Sequence, residues 1–190
     1  MNPEETRPAP ARPPAWLNPT AASLLGFLHE GDYSGYELVG VAERTIGNFW
    51  SLTRSQVYRE LATLAERGLV EAGETGPRAR RPYRLTQVGR DAFAAWVAQP
   101  PGSEQIRHPL LLTLSFGAAL PPERLREFLD EHRRQHAKRL AGYEAVPAEA
   151  DLDPWRLATL AFGIHYERAV LAWMDELPGI VGDAAPAPDL

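Results

Sequence analysis

The sequence predicts a mainly α-helical fold in two domains, and three observations carry that expectation. Polar residues suited to capping helices precede apolar stretches of helical period at Asn18, Ser34, Thr53 and Thr86. Pro100-Pro101-Gly102 then breaks the chain, and the residues beyond this break are again helical in period. Between the third and fourth predicted helices lie two short β-type runs separated by a turn rich in arginine. Helix, strand, basic loop and returning strand, in that order, spell a winged helix-turn-helix with a two-stranded β wing. The expected layout is a disordered tail at 1–15, a winged-helix domain at 16–99, a helical dimerisation domain at 104–178 and a flexible tail at 179–190.

The tail at 1–15 holds five prolines and little that could be buried. Arg7 and Arg12 within it allow an arm that grips DNA. Asn18-Pro19 reads as a cap and first helical position, with Leu24, Leu25, Phe27 and Leu28 as the buried face and Gly31 as the stop. Ser34-Gly35-Tyr36-Glu37 has the form of a capping box. It opens a second helix to about Gly47, with Leu38, Val41 and Ala42 inward.

A second box, Thr53-Arg54-Ser55-Gln56, opens the third helix, which ends at Gly68. On a helical wheel Val57, Leu61 and Leu64 fall together and must be core. Ser55, Arg59, Ala62 and Glu66 lie opposite, with Tyr58 on the flank. A small or polar N-terminal half on an exposed face suits entry into a major groove. Residues 69–74 and 82–85 are the wing strands, and Arg78, Arg80 and Arg81 sit in the loop between them. Thr86 caps the fourth helix, which runs through Phe93, Trp96 and Val97.

Beyond the break, 106–118 is strongly apolar and reads as a helix. Pro121-Pro122 starts a long amphipathic helix with the stripe Leu125, Phe128, Leu129, Leu140 and Tyr143. Asp153-Pro154 starts the last one, running to about Leu177. A helix of about 25 residues spans roughly 37 Å. This last helix has two apolar faces. Leu157, Leu160, Ala161, Ile164 and Leu171 form one, while Trp155, Phe162, Tyr166, Ala169, Val170, Trp173 and Leu177 form the other. One face packs on its own chain and the other on a second copy, so a homodimer is expected. Which face meets the partner is open; Leu157, Leu160, Ile164 and Leu171 are taken as its dimerisation residues.

The chain of 190 residues has a net charge of -5, but its distribution matters more than its total. Residues 1–100 carry 11 Arg and 11 Asp+Glu, while residues 101–190 carry 9 Lys+Arg and 14 Asp+Glu. Between Gly76 and Arg84 there are four arginines and no acid. Phosphate binding needs a local basic surface, which this is. The absence of cysteine excludes disulfides and thiolate metal sites. No apolar run approaches the ~18 residues that span a bilayer, and the N-terminus lacks the apolar core of a signal peptide. A soluble, cytoplasmic protein is expected.

His132 and His136 stand four apart, a spacing that can chelate, but no third ligand is evident. Both continue the stripe from Leu125 to Tyr143 and are read as partly buried interface histidines. No nucleophile motif, phosphate loop or paired-carboxylate arrangement occurs, so no enzyme activity, catalytic residue, metal or cofactor is expected.

Several segments together resemble one family. Leu24-Leu25-Gly26-Phe27-Leu28, Gly35-Tyr36-Glu37-Leu38, Phe49-Trp50-Ser51-Leu52, Val57-Tyr58, Glu66-Arg67-Gly68-Leu69-Val70 and Tyr83-Arg84-Leu85-Thr86 occur in order. The set resembles the PadR family of bacterial transcriptional regulators over residues 20–97. The likeness continues more weakly through Arg107-His108-Pro109-Leu110 and Tyr166-Glu167-Arg168-Ala169. It implies a dimeric repressor released by a small, often aromatic, effector. Arg54 and Arg59 depart from the family pattern, since proline is common at both, and they add charge to the reading helix.

On this reading Arg54, Ser55 and Arg59 approach base edges, and Gln56 of the same capping box is counted with them among the DNA-binding residues. Thr53, Tyr36 and Tyr58 hydrogen-bond phosphates, and Arg78, Arg80 and Arg81 hold the wing to the backbone or minor groove of a pseudo-palindromic operator. Tyr36 and Tyr58 have a second reading as packing between helices two and three. Effector candidates are Phe116, Trp155, Phe162, His165, Tyr166 and Trp173, and for any one of these residues dimer core is the stronger reading. Two rivals stand beside this reading. One is a winged helix used for protein docking. The other is a MarR-like regulator, which usually dimerises through helices at both ends.

Overall fold

The structure, a computed structural model, describes residues 13–47, 49–76, 80–103, 106–147 and 152–181. The proposed arm residues Arg7 and Arg12, the wing-loop candidate Arg78 and most of both predicted tails lie outside the described residues. Two compact units divide between Ser103 and Glu104.

In the first unit the helices begin where side chains supply the missing hydrogen-bond acceptors. Asn18 Oδ1 accepts from the Ala21 amide at 2.9 Å and starts α1 (Pro19–Phe27). A two-residue strand, β1 (Tyr33–Ser34), leads straight into α2 (Gly35–Thr45). Thr53 caps α3 (Arg54–Glu66). Gly68, at φ 73°, then turns the chain into β2 (Val70–Ala72). Strand β3 (Pro82–Leu85) returns, and Thr86 caps α4 (Gln87–Val97). Leu24 and Leu25 of α1, Leu38 of α2, and Val57, Leu61 and Leu64 of α3 are fully buried together. Leu28, Leu69, Val70 and Leu85 extend this core, and Leu52, Phe93 and Trp96 close its margin.

The sheet is antiparallel in the order β1-β3-β2, pairing Val70 with Leu85 and Ala72 with Tyr83 on one side of β3, and Tyr33 with Tyr83 on the other. The wing therefore has a third strand where two were expected. Two residues are too few to show alternation, so β1 left no periodic signal. Beside the Tyr33–Tyr83 pairing, Asp32 accepts two hydrogen bonds from the Arg84 guanidinium (2.8 and 3.1 Å). Pro82 opens β3, the position at which a strand best tolerates a missing amide.

One close approach locks the wing to α4. The Leu69 carbonyl accepts from the Thr86 amide at 3.1 Å and from the Thr86 hydroxyl at 3.0 Å. A Cβ at Gly89 would stand 2.1 Å from the same carbonyl oxygen. Glycine is required there for contact between backbones.

The second unit comprises α5 (Pro109–Leu114), a 3-10 turn (Gly117–Ala119), α6 (Pro122–Glu144) and α7 (Pro154–Val181). The helix expected over 106–118 shrinks to α5. Pro109 disfavours helical geometry at His108, which sits at φ -116°, ψ 96°. Ile106, Leu112 and Phe116 of that apolar run are exposed. A second correction lies at the C-terminus, where α7 passes through Pro178 to Val181 although 179–190 was expected to be a tail.

Helices α6 and α7 pack along their length. Gly163 lies under the Tyr143 ring, Arg168 pairs with Glu144 at 2.6 Å, and Arg133 pairs with Asp175. Leu110, Met174 and Leu177 form a small buried cluster with Leu129, Val170 and Trp173 against it. Among the described residues no helix is long and apolar enough to cross a membrane.

Gly89→Ala is expected to destabilise the first unit, because the added methyl must displace a backbone carbonyl. A loss of about 1–3 kcal/mol, or more if the wing shifts, should appear as an earlier thermal transition by circular dichroism. An unchanged transition contradicts the lock.

Candidate nucleic-acid interface

Helix α3 separates a buried back from a polar front. The reciprocal cap that starts it is complete. The Gln56 amide donates to Thr53 Oγ1 at 3.2 Å, and the Thr53 amide donates to Gln56 Oε1 at 2.9 Å. Gln56 is thereby engaged in holding the helix start. Thr53 Oγ1 also lies 3.1 Å from the Ser55 hydroxyl. Arg54, Ser55, Tyr58, Arg59, Ala62 and Glu66 are exposed along the front, as the wheel requires.

The first turn of α2 meets this front. The Arg54 guanidinium stands 5.6 Å from the centroid of the Tyr36 ring. The Tyr58 ring lies over Gly35, so close that a Cβ there would sit 2.7 Å from its Cε1 atom. Tyr36 is 68% exposed and Tyr58 46% exposed. Tyr58 thus packs against α2 and still presents its edge outward, so its two readings are compatible. Tyr36 extends from α2 to meet Arg54.

The described wing arginines have defined partners. Arg80 Nη2 donates to Glu37 Oε1 at 2.7 Å, and Arg81 Nε donates to the Gly73 carbonyl at 3.2 Å. Glu37 is also the acid of the α2 cap, with its Oε2 accepting from the Ser34 amide at 2.8 Å and the Ser34 hydroxyl at 2.7 Å. The two Ser34 hydrogen bonds, and then the charge of Arg80, hold the Glu37 carboxyl below its ordinary range. The Asp32 carboxylate correspondingly raises the pKa of Arg84.

Sequence reasoning missed Glu60, an acid 7% exposed on the back of α3. Its Oε2 accepts from Asn18 Nδ2 at 3.2 Å, while Oε1 accepts from Arg59 Nη2 at 3.1 Å. The cap of α1 and the front of α3 are therefore joined through one carboxylate. Its place in the series 57, 60, 61, 64 was the available signal, since that series is the core stripe.

In the second unit the effector candidates do not converge. Phe162 and Tyr166 stack with centroids 6.2 Å apart and planes at 20°. Trp155 projects at 83% exposed, Phe116 is 67% exposed, and His165 is exposed. Trp173 turns instead toward the Leu110 cluster. Of the residues taken for dimerisation, Leu160, Ile164 and Leu171 are half-buried within the single chain, and Leu157 is exposed. Leu160 and Ile164 lie seven and three residues before Glu167, and Leu171 four after it, on the side that packs against α6.

Glu167 is a second buried acid that the sequence did not announce. It is 2% exposed and is held by His136 and by Arg139, whose Nε donates to it at 2.8 Å. His108 and His132 each stack 6.5 Å from His136. Burial first, then the neighbouring His136, His132 and Arg139, lowers the pKa of His108. Three histidines gather, yet among the described residues no group of His, Asp or Glu is arranged to hold a metal ion.

Comparison with known proteins agrees with this architecture. The family model for PadR-like transcriptional regulators matches residues 24–95, and the model for the C-terminal part of virulence activator alpha matches residues 106–178. The negative transcriptional regulator PadR of Bacillus subtilis is 27% identical over 176 residues, spanning 84% of this chain and 95% of that protein. Its crystal structure with operator DNA superposes at TM-score 0.66 with 20% identity, covering 85% of this chain and 98% of that one. Its complex with p-coumaric acid gives 0.64 at 20% identity, with coverages of 86% and 98%. The Vibrio cholerae virulence activator AphA is 28% identical at TM-score 0.64, over 85% of this chain and 97% of that one. The first unit is a winged helix whose residues 24–95 match the PadR-like family of transcriptional regulators, and over most of its length the chain is similar to regulators of that family.

Proposed function

We propose that this regulator is a cytoplasmic, homodimeric repressor that reads a pseudo-palindromic operator with α3 and is released by a small aromatic effector. The observation that carries the DNA reading is the exposed N-terminal half of α3. It is capped at both Thr53 and Gln56, backed by fully buried Val57 and Leu61, and fronted by Arg54, Ser55 and Arg59. Arginine binds guanine through two parallel hydrogen bonds, a contact worth about 1–3 kcal/mol of discrimination. Thr53, Tyr36 and Tyr58 contact phosphates and set register, and Arg80 and Arg81, with Arg78, bring the wing to the backbone. The relative solved with operator DNA supports this assignment by its shared fold.

The dimer reading rests on α7. Its Glu167 side is occupied by α6 of the same chain, whereas Trp155, Phe162 and Tyr166 on another side remain exposed. An apolar face of that kind is costly in water and calls for a second copy. The effector lodges against the stacked Phe162–Tyr166 pair on the same face, a reading supported by the relative that binds p-coumaric acid. A ligand that favours a dimer with wrongly spaced reading helices weakens DNA binding by the same factor that DNA weakens the ligand.

The sign of regulation follows the relative named a negative regulator. The match of residues 106–178 to a virulence activator model favours activation as the second reading. Deleting the gene separates the two, because a transcript from the bound promoter rises under repression and falls under activation.

If a dimer neutralises about eight phosphates, log K falls with log salt at a slope of about -7 in gel-shift titrations. Arg59→Ala relaxes sequence preference, while Arg81→Ala weakens operator and unrelated DNA alike and flattens that slope by about 1–2. Equal loss of specificity in both variants contradicts this division of labour. Phe162→Glu, at a position exposed in the single chain, yields folded monomers by light scattering; a dimer that persists contradicts the interface.

A further inference from the structure

We propose that Glu37 competes with DNA phosphates for the wing residue Arg80 and so sets the overall affinity of the regulator for DNA. The inference rests on the proposed DNA reading and adds a residue that opposes it.

The geometry divides the Glu37 carboxylate into two halves with different tasks. Oε2 accepts from both the amide and hydroxyl of Ser34 and completes the cap of α2. Oε1 takes no part in that cap and accepts from Arg80 Nη2 at 2.7 Å. The chain itself shows that the cap does not need the charge. The equivalent box on α3 is closed by Gln56, a neutral side chain, with the same reciprocal pattern. A carboxylate at 37 therefore does something that an amide would not, and the partner it meets is a wing cation.

The pair is placed to be exchanged. Arg80 remains 62% exposed and Glu37 35% exposed, so a phosphate can reach the guanidinium from solvent. Tyr36, beside Glu37 in sequence, is assigned to phosphate contact and is strongly exposed. A phosphate that takes Arg80 must break this ion pair and then lie close to an unpartnered carboxylate. Both effects oppose binding by similar amounts on any sequence, because neither involves a base. Glu37 thus lowers operator and non-operator affinity together and limits how much of the protein DNA holds unspecifically.

The test is a double-mutant cycle on the full-length protein. Affinities for operator and for an unrelated duplex of equal length are measured at fixed salt for wild type, Glu37→Gln, Arg80→Ala and the double variant. Glu37→Gln is expected to tighten both duplexes by about two- to fivefold, the range of an exposed ion pair. In the Arg80→Ala background the same change is expected to have no more than a small residual effect. Thermal melts accompany the cycle, and the cap predicts a Glu37→Gln transition near that of wild type.

Weaker binding by Glu37→Gln would mean that the acid aims Arg80 at the DNA, and overturns the proposal. So does unchanged affinity, or a gain that survives in the Arg80→Ala background. If Glu37→Gln melts early, the cycle is read from Arg80→Ala in the otherwise native chain: competition predicts a loss below about threefold, and a loss of tenfold or more overturns it. A wild-type protein that binds neither duplex at low salt defeats the DNA reading itself, and this inference with it.

Discussion

The hydrogen bonds exchanged between Ser34 and Glu37 fix three things at once. They start α2 at Gly35, end β1 at Ser34, and hold a carboxylate where it meets Arg80 of the wing. Without the cap, the first-turn amides of α2 would lack partners and Tyr36 would have no fixed direction. Because β1 is only two residues long, its pairing with β3 depends on the residues at its ends. Asp32 holds one side through Arg84 and Glu37 holds the other through Arg80. The basic wing thus meets the first turn of α2 through the exposed Arg80–Glu37 pair, and that turn borders the front of α3 through Tyr36 and Arg54.

Buried charge organises both units in a similar way. Glu60 ties the cap of α1 to Arg59 of α3, and Glu167 ties α7 to His136 and Arg139 of α6. An acid in such a place stabilises little net, because its desolvation offsets most of the attraction. Removing one partner is a different matter, since the remaining charge is then buried alone. These carboxylates act chiefly as register pins. A helix that slid or rotated by one residue would lose them, so the orientation of α3 and the α6–α7 pairing are each tied to one acid.

Much of the first unit was legible because its signals are local. The caps at Asn18, Ser34, Thr53 and Thr86 fall where the sequence places them, and the stripe Val57, Leu61 and Leu64 is the core. What escaped was either too short or too distant to leave a local mark. Strand β1 has no room for alternation. Glu60 and Glu167 read as ordinary surface acids until the partners that bury them, 42 and 28–31 residues away in the chain, are known. At 106–118 the apolar run was legible but its meaning was not, because Pro109 stops the helix from extending backwards. The two faces of α7 were visible, but the structure does not divide them as drawn: Val170, Trp173 and Leu177 of the aromatic face pack in the Leu110 cluster of the same chain, while Glu167 and Gly163 meet α6. The aromatic candidates failed to converge for a related reason. Spacing on one helix says which rings share a face, and says nothing of what lies across from them.

Proximity of α3 to bases can be measured directly, since the chain has no cysteine and one introduced thiol is unique. A DNA-cleaving iron chelate attached to Ser55→Cys, at the start of α3, should cut bound operator at two clusters about 34 Å apart or a multiple of that spacing. The same reagent on Glu66→Cys, three turns further along the exposed face, should cut far less. Equal cutting from both ends of the helix, or none from Ser55→Cys on DNA that the protein demonstrably holds, would contradict a reading helix that enters the groove by its N-terminal half.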